Sequence, residues 1–323
     1  MHPTRTRLGA RLVAATVCAL VVPMIVTTTH QAQASDDEEQ SKATNTPVQR
    51  AKIAAARRDR PEPPDRCPYS AAEYPRPALT KACLRHNGTG RTVLVVGDSH
   101  AEHWVPALYR AALARNWRLL SLTRAKCNPL NFIAVRDTDR GHPTVGETCN
   151  NWKQTAYPTV IKHADPGLVL FGGRSQVYDI RVGGRIIRQE SSDYFSTWRH
   201  SWRWTVKTLT ARGARVGALT LQPTMRAKVP DCLARNGFTT KVCDLPIRKD
   251  PRTRRANAFV KHIHAIYPRV RPVPVNNLVC PAGRCKAVLE GIITHADQSH
   301  LTAHWSRSKS RAVVSMLLGK NLL

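Results

Sequence analysis

Apolar and polar positions along the chain group into blocks of two different periods. Thr92-Val93-Leu94-Val95-Val96 is a β-branched run without polar alternation, which predicts a short strand buried on both faces. The segment after it sets Trp104, Leu108, Ala111 and Ala112 at helical spacing. Leu119 to Leu122 reads as a second strand and Trp152 to His163 as a helix. Leu168-Val169-Leu170-Phe171 reads as a third strand ending at Gly172-Gly173. Phe195, Trp198, Trp202, Val206 and Leu209 form an apolar stripe of helical period, stopped by Gly213. Val216 to Leu221 makes a fourth strand. A helix through Ala256 to Ile266 leads to a fifth near Val270 to Val275, and a last helix runs from about His304 to Leu318. Strands alternating with helices predict an α/β fold, a mostly parallel sheet of about five strands between two helical layers. In such a sheet the chemistry gathers in the loops at the carboxyl ends of the strands.

The N-terminus departs from this pattern. Arg5, Arg7 and Arg11 precede an apolar run from Leu12 to Val26, and Ala32-Gln33-Ala34 follows. A basic start, a short apolar stretch and a small-residue site predict a signal peptide over residues 1–34, cut after Ala34. An uncleaved anchor is the alternative, but the run is shorter than the roughly 20 residues a spanning helix needs and contains Pro23. Residues 35–65 are polar, charged and proline-terminated, and read as a flexible stalk with a transient helix over Val48 to Arg58. Residues 66–90 read as an entry loop, and 66–323 as one folded domain.

Export changes how the cysteines read. Nine are present, and the eight beyond Cys18 fall in neighbouring pairs: Cys67/Cys83, Cys127/Cys149, Cys232/Cys243 and Cys280/Cys285. Eight cysteines admit on the order of a hundred connectivities, so nearest-neighbour disulfides are an expectation from loop spacing in an oxidising compartment. No C-x-x-C occurs, and the spacings suit no common zinc module. The chain carries 50 Lys+Arg against 22 Asp+Glu, a net charge of +28. That charge favours anionic neighbours, and for an exported chain these are acidic wall polymers or lipids rather than nucleic acid.

Two short motifs carry candidate chemistry. Gly97-Asp98-Ser99-His100 stands directly after the first strand, where glycine permits a tight turn and a helix begins. By itself the motif reads more as a capped helix start than as a nucleophile turn, since Asp and Ser are favoured caps. Asp297-Gln298-Ser299-His300-Leu301 stands before the final helix. A serine nucleophile needs a base, and the base an orienting carboxylate; Asp297 and His300, three apart on one turn, can supply both to Ser99. His100 and His103 read as surface histidines rather than groups crowding the site, and Trp198 and Trp202 as core rather than a sugar platform, with Trp204 off their stripe. The arginine runs at 252–255 and 307–311 read as solvated surface.

Together the motifs resemble the SGNH (GDSL-like) hydrolase superfamily, over about Cys67 to Leu318. The likeness is nearest to the SGNH domain fused to membrane acyltransferase-3 proteins. It rests on Val95-Val96-Gly97-Asp98-Ser99-His100-Ala101-Glu102-His103-Trp104, on Lys126-Cys127-Asn128-Pro129-Leu130, and on Asp297-Gln298-Ser299-His300-Leu301. The resemblance implies a flavodoxin-like three-layer fold with Ser99 as nucleophile, His300 as base and Asp297 as its orienter. One departure stands out. The family's Gly-x-Asn-Asp turn, whose Asn donates to the oxyanion, is replaced here by Gly172-Gly173-Arg174-Ser175. The amides of Ser99 and Gly173 are the remaining candidate oxyanion donors, and Arg174 is a candidate either to contact an anionic substrate or to pair with a carboxylate.

The expectation is therefore an exported, envelope-associated serine esterase or O-acyltransferase. It would act on acyl esters, acetyl foremost, of an envelope or secreted glycan. The alternative is a non-catalytic glycan- or wall-binding protein on a degenerate scaffold. Expected partners are an acylated glycan or anionic wall polymer and a membrane acyltransferase. No cofactor or metal is called for.

Overall fold

The computed structural model describes residues 45–61, 67, 80–135, 144–239 and 241–323. The expected signal peptide, the first part of the expected stalk and most of the entry loop lie outside the described residues.

A six-stranded sheet forms the centre: β1 (Leu84–Asn87), β2 (Thr92–Gly97), β3 (Arg118–Thr123), β4 (Leu168–Gly172), β5 (Arg215–Leu219) and β6 (Val270–Val273). Their spatial order is β1-β3-β2-β4-β5-β6. All neighbours run parallel except the edge pair β1–β3. The antiparallel β1 adds a strand to the five expected and falls within the stretch expected as an entry loop. The chain steps from β2 to β3 in one direction, then crosses to β4 on the other side of β2. The carboxyl ends of β2 and β4 are thus the switch point of the sheet, the place where such folds open a crevice.

The unbroken apolar run of β2 follows from its position. Val93 and Val95 enter a core with Trp104 and Leu108 of α1, the helix at Val105–Arg115 and its approach, and with Trp305, Val313 and Leu317 near the C-terminus. Leu94 and Val96 point the other way, into a core with Trp152, Tyr157, Trp198, Val206 and Val260. Period-two side chains buried on both faces leave no position for polar alternation. Helices Thr144–Ala164, Trp202–Leu209 and Pro251–Lys261 supply this second layer. The stripe from Phe195 to Leu209 spans two helices, Tyr194–His200 and Trp202–Leu209, which meet at Ser201. Ser201 Oγ donates to Trp198 O, tying off the first helix. The last helix is likewise two pieces, Ala303–Ser308 and Ser310–Gly319, divided at Lys309.

Residues 45–61 correct the stalk expectation. Pro47–Ala56 is a capped helix: Thr46 and Gln49 form a reciprocal capping box, and Ile53 and Ala56 are buried in the core. Asn45 Nδ2 donates to Leu233 O at 3.0 Å, and Arg57 pairs with Asp231 at 3.0 Å. Asp59 accepts the Ala303 and His304 amides, at 3.1 Å on its carbonyl and 3.0 Å on Oδ2. A polar composition hides this packing because only Ile53 and Ala56 enter the core, while the polar groups find partners far away in sequence.

The expected cysteine pairs are all bonded: Cys67–Cys83, Cys127–Cys149, Cys232–Cys243 and Cys280–Cys285. No helix among the described residues is long and apolar enough to cross a membrane.

Candidate active site

β2 ends at Gly97, whose φ is +154° and whose missing Cβ would lie 2.0 Å from Gly172 O. No other residue fits there, and the closeness brings the ends of β2 and β4 together. Asp98 caps the single-turn helix Ser99–Glu102, its Oδ1 accepting the His100 amide at 2.7 Å. Its Oδ2 accepts the Arg174 amide from the β4 loop at 2.8 Å. One buried carboxylate thus ties both loops of the switch point. Burial raises its pKa to about 6, against the lowering effect of the two amides.

Capping and nucleophile readings of the turn turn out to be compatible. Asp98 does the capping, which leaves the Ser99 hydroxyl free to face His300, with Oγ 3.0 Å from Nε2. His300 Nδ1 lies 2.7 Å from Asp297 Oδ2. Asp297 Oδ1 accepts the amides of Ser299 and His300, at 2.7 and 2.8 Å, and Ala296 N donates to His300 O at 2.8 Å. Burial acts to raise the Asp297 pKa. The His300 ring and the two amides outweigh it and hold the carboxyl well below the usual range. An ionised Asp297 keeps the imidazole proton on Nδ1, so the Nε2 lone pair faces the Ser99 hydroxyl. That is the geometry for accepting its proton.

The sequence reading missed Arg60, whose guanidinium reaches Asp297 Oδ2 at 2.9 Å. No spacing signal links residues so distant in sequence. They meet because the segment after Ala56 runs over the start of the helix at Ala303. Arg60 is half exposed, so the pair contributes little to stability, about 0–1 kcal/mol.

The remaining expected residues divide. Gly173, with φ +152°, sits where a Cβ would lie 2.5 Å from Pro129 Cγ and 3.0 Å from Asp98 Cγ. Among the described residues neither the Ser99 nor the Gly173 amide donates to a protein acceptor, whereas the Arg174 amide is spent on Asp98. Asn128 does not replace the missing Asn: its side-chain amide donates to Leu130 O and Phe132 O, within its own loop. The Arg174 side chain is mostly buried, bonds Thr224 Oγ1, and has its pKa lowered chiefly by burial. Trp198 and Trp202 are core residues, and Trp204, partly buried, stacks on Tyr157.

His100 and His103 correct another expectation, for they are 8% and 1% exposed rather than on the surface. The helix start that carries Ser99 runs straight into the core at Trp104, and this turns both rings inward beneath His300. Burial first, then neighbouring positive charge, lowers both their pKa values well below the ordinary histidine value, so both are neutral at pH 7.

A five-strand parallel core in flavodoxin-like order, with serine, histidine and aspartate loops at its switch point, defines a domain of the SGNH type. The chain belongs to the SGNH domain family (fused to AT3 domains), whose family model matches residues 66–314. Among solved structures it is similar to the periplasmic domain of a lipopolysaccharide acetyltransferase from Salmonella ser. Paratyphi A. That match has a TM-score of 0.52 and 15% identity, and covers 76% of this chain and 88% of that one. It is also similar to Est24, a carbohydrate acetylesterase from Sinorhizobium meliloti, with a TM-score of 0.42 and 12% identity, over 71% of this chain and 99% of that one. At such identities the likeness is one of fold. No curated protein sequence matches the chain.

Proposed function

We propose that this protein is an extracytoplasmic serine esterase or O-acyltransferase acting on acyl esters of an envelope or secreted glycan. The hydrogen-bonded chain from Ser99 through His300 to Asp297 carries the reading. Ser99 Oγ attacks the ester carbonyl as His300 Nε2 takes its proton. The amides of Ser99 and Gly173 meet the oxyanion, and the departing alcohol leaves with the proton returned by His300. Water, or a sugar hydroxyl, then loses its proton to His300 and attacks the acyl-Ser99 carbonyl, freeing the serine. Water gives an esterase, and a sugar hydroxyl a transferase.

The glycan substrate is supported by the family's association with AT3 domains and by the acetyl chemistry in the names of the similar structures. A membrane acyltransferase as partner and donor follows from the same association. Four disulfides and the basic, apolar, A-x-A start support export behind a cleaved signal peptide. The +28 charge would hold the protein on anionic polymer, where added salt should release it. Arg174 would serve as an anion contact at the rim of the site.

The missing oxyanion Asn favours one competing reading, a glycan- or wall-binding protein on a scaffold that has lost its chemistry. A serine-directed fluorophosphonate and short-chain acyl esters separate the two. The esterase reading expects labelling and turnover in the wild type and neither in Ser99→Ala. An unlabelled, inactive wild type overturns it.

A further inference from the structure

The three imidazoles at the site are arranged as more than a base and two neighbours. Among the described residues, His100, His103 and His300 each bring one ring nitrogen to within 4.8 Å of the others. Their ring centres are 4.6, 5.1 and 5.2 Å apart. A tetrahedral zinc ion with Zn–N bonds of about 2.0–2.1 Å sets three imidazole centres roughly 5 Å apart. The ring centres therefore already stand at the spacing of a three-histidine site, and turning the rings about those centres would bring the nitrogens from within 4.8 Å of one another to the roughly 3.4 Å that a tetrahedral ion sets.

Hydrogen bonds choose which nitrogen each ring can offer. His103 Nδ1 faces Gln222 Oε1 at 3.3 Å and must donate to it, which leaves the Nε2 lone pair bare. That Nε2 is buried without a partner, and so is His100 Nδ1. Orphaned buried nitrogens are uncommon, because each forgoes the hydrogen bond it would make in water. His300 Nδ1 is held by Asp297, so its free lone pair is on Nε2. An oxygen acceptor fixing the far nitrogen of a ligating histidine is the usual support of a zinc site, and here two of the three rings have one. Every cysteine among the described residues is in a disulfide, so no thiolate competes for the ion. His300 is 27% exposed, which gives access from solvent.

We propose that His100, His103 and His300 bind one borderline divalent cation, zinc by the ligand set, and that the bound ion shuts the Ser99 site. The lone pair on His300 Nε2 can accept the serine proton or coordinate the ion, but not both. Binding of the ion stands independently of the esterase reading, while the shutting role rests on it.

The test uses the full chain freed of metal by chelator. Zinc is titrated against a chromogenic chelator, with cobalt as a spectroscopic stand-in. One zinc per chain at micromolar affinity or better is expected, together with the intense visible bands of four-coordinate cobalt. His100→Ala and His103→Ala should each weaken zinc at least tenfold, and Gln222→Ala by about tenfold or more. Melting curves without metal show whether each variant is folded, and a zinc-dependent rise in the wild-type Tm reads the site without any variant. Absence of saturable zinc binding, or affinity unchanged in both histidine variants, overturns the site. Fluorophosphonate labelling of the wild type should fall at least tenfold with zinc and recover with chelator. Each variant, compared with its own zinc-free rate, should resist that loss. Undiminished labelling at saturating zinc overturns the shutting role. A zinc-free wild type that does not label sinks the nucleophile reading and the shutting role with it, while the titration still decides the site.

Discussion

Asp297→Asn isolates the step on which the proposed chemistry depends. Asp297 accepts three hydrogen bonds, the Ser299 and His300 amides on Oδ1 and His300 Nδ1 on Oδ2, and Oδ2 also pairs with the Arg60 guanidinium. An amide at this position keeps its oxygen for the two backbone donors, which places its NH2 against His300 Nδ1. That nitrogen must then accept instead of donate, and the imidazole proton moves to Nε2, facing Ser99. A ring protonated there cannot take the serine proton. The expected loss in acyl-ester turnover and in fluorophosphonate labelling rate is on the order of 10³–10⁴-fold. Stability should fall by only about 1.5–3 kcal/mol, the scale of one hydrogen bond to a charged group, so the protein remains folded in a melting assay. Asp297→Ala supplies a control. It leaves Nδ1 uncommitted, so a fraction of the rings keep Nε2 bare, and Asn should be the slower of the two. Turnover of Asp297→Asn within threefold of wild type, or above Asp297→Ala, refutes the tautomer argument.

Three further outcomes are expected. Gly173→Ala places a Cβ 2.5 Å from Pro129 Cγ at a positive φ, so it should cost about 1–3 kcal/mol in chemical denaturation and slow labelling; a variant as stable as wild type would contradict the packing described. Ile53→Ala should lower stability by about 2 kcal/mol if residues 47–56 are docked as described, whereas a detached stalk would give no change in the urea midpoint. Acidification should withdraw the His295 contribution between pH 6.5 and about 4: burial lowers the His295 pKa to about 4, so the unfolded chain takes up the proton first and that contribution is lost as pH falls through the window. It amounts to roughly 3 kcal/mol at most; His100 and His103 act in the same direction, while the carboxyls of Asp98 and Glu102, raised by burial, act in the opposite one. The share is therefore read against His295→Gln, and a wild-type Tm that falls no further than that variant's from pH 7 to 4 would refute this.

Much of this protein is determined by its sequence alone. The apolar runs at Val93, Leu119, Leu168, Val216 and Val270 specify a buried parallel sheet, because a strand covered on both faces needs no polar position. Ser99 and the Asp297–His300 turn are legible because their residue types suit nucleophile, base and orienter, and because both stand where an α/β fold places its loops. The four disulfides followed from neighbouring cysteines. The tertiary structure decided what depends on distant partners. Residues 47–60 look like a solvated stalk from composition, yet Ile53 enters the core and Arg60 reaches Asp297. His100 and His103 look like surface residues, yet the turn that exposes Ser99 must bury the side chains on the opposite face of its single helical turn. Periodicity reports which face of an element is apolar. It does not report which remote group meets a polar side chain, and at this site those meetings set tautomer, charge and the capacity to hold an ion.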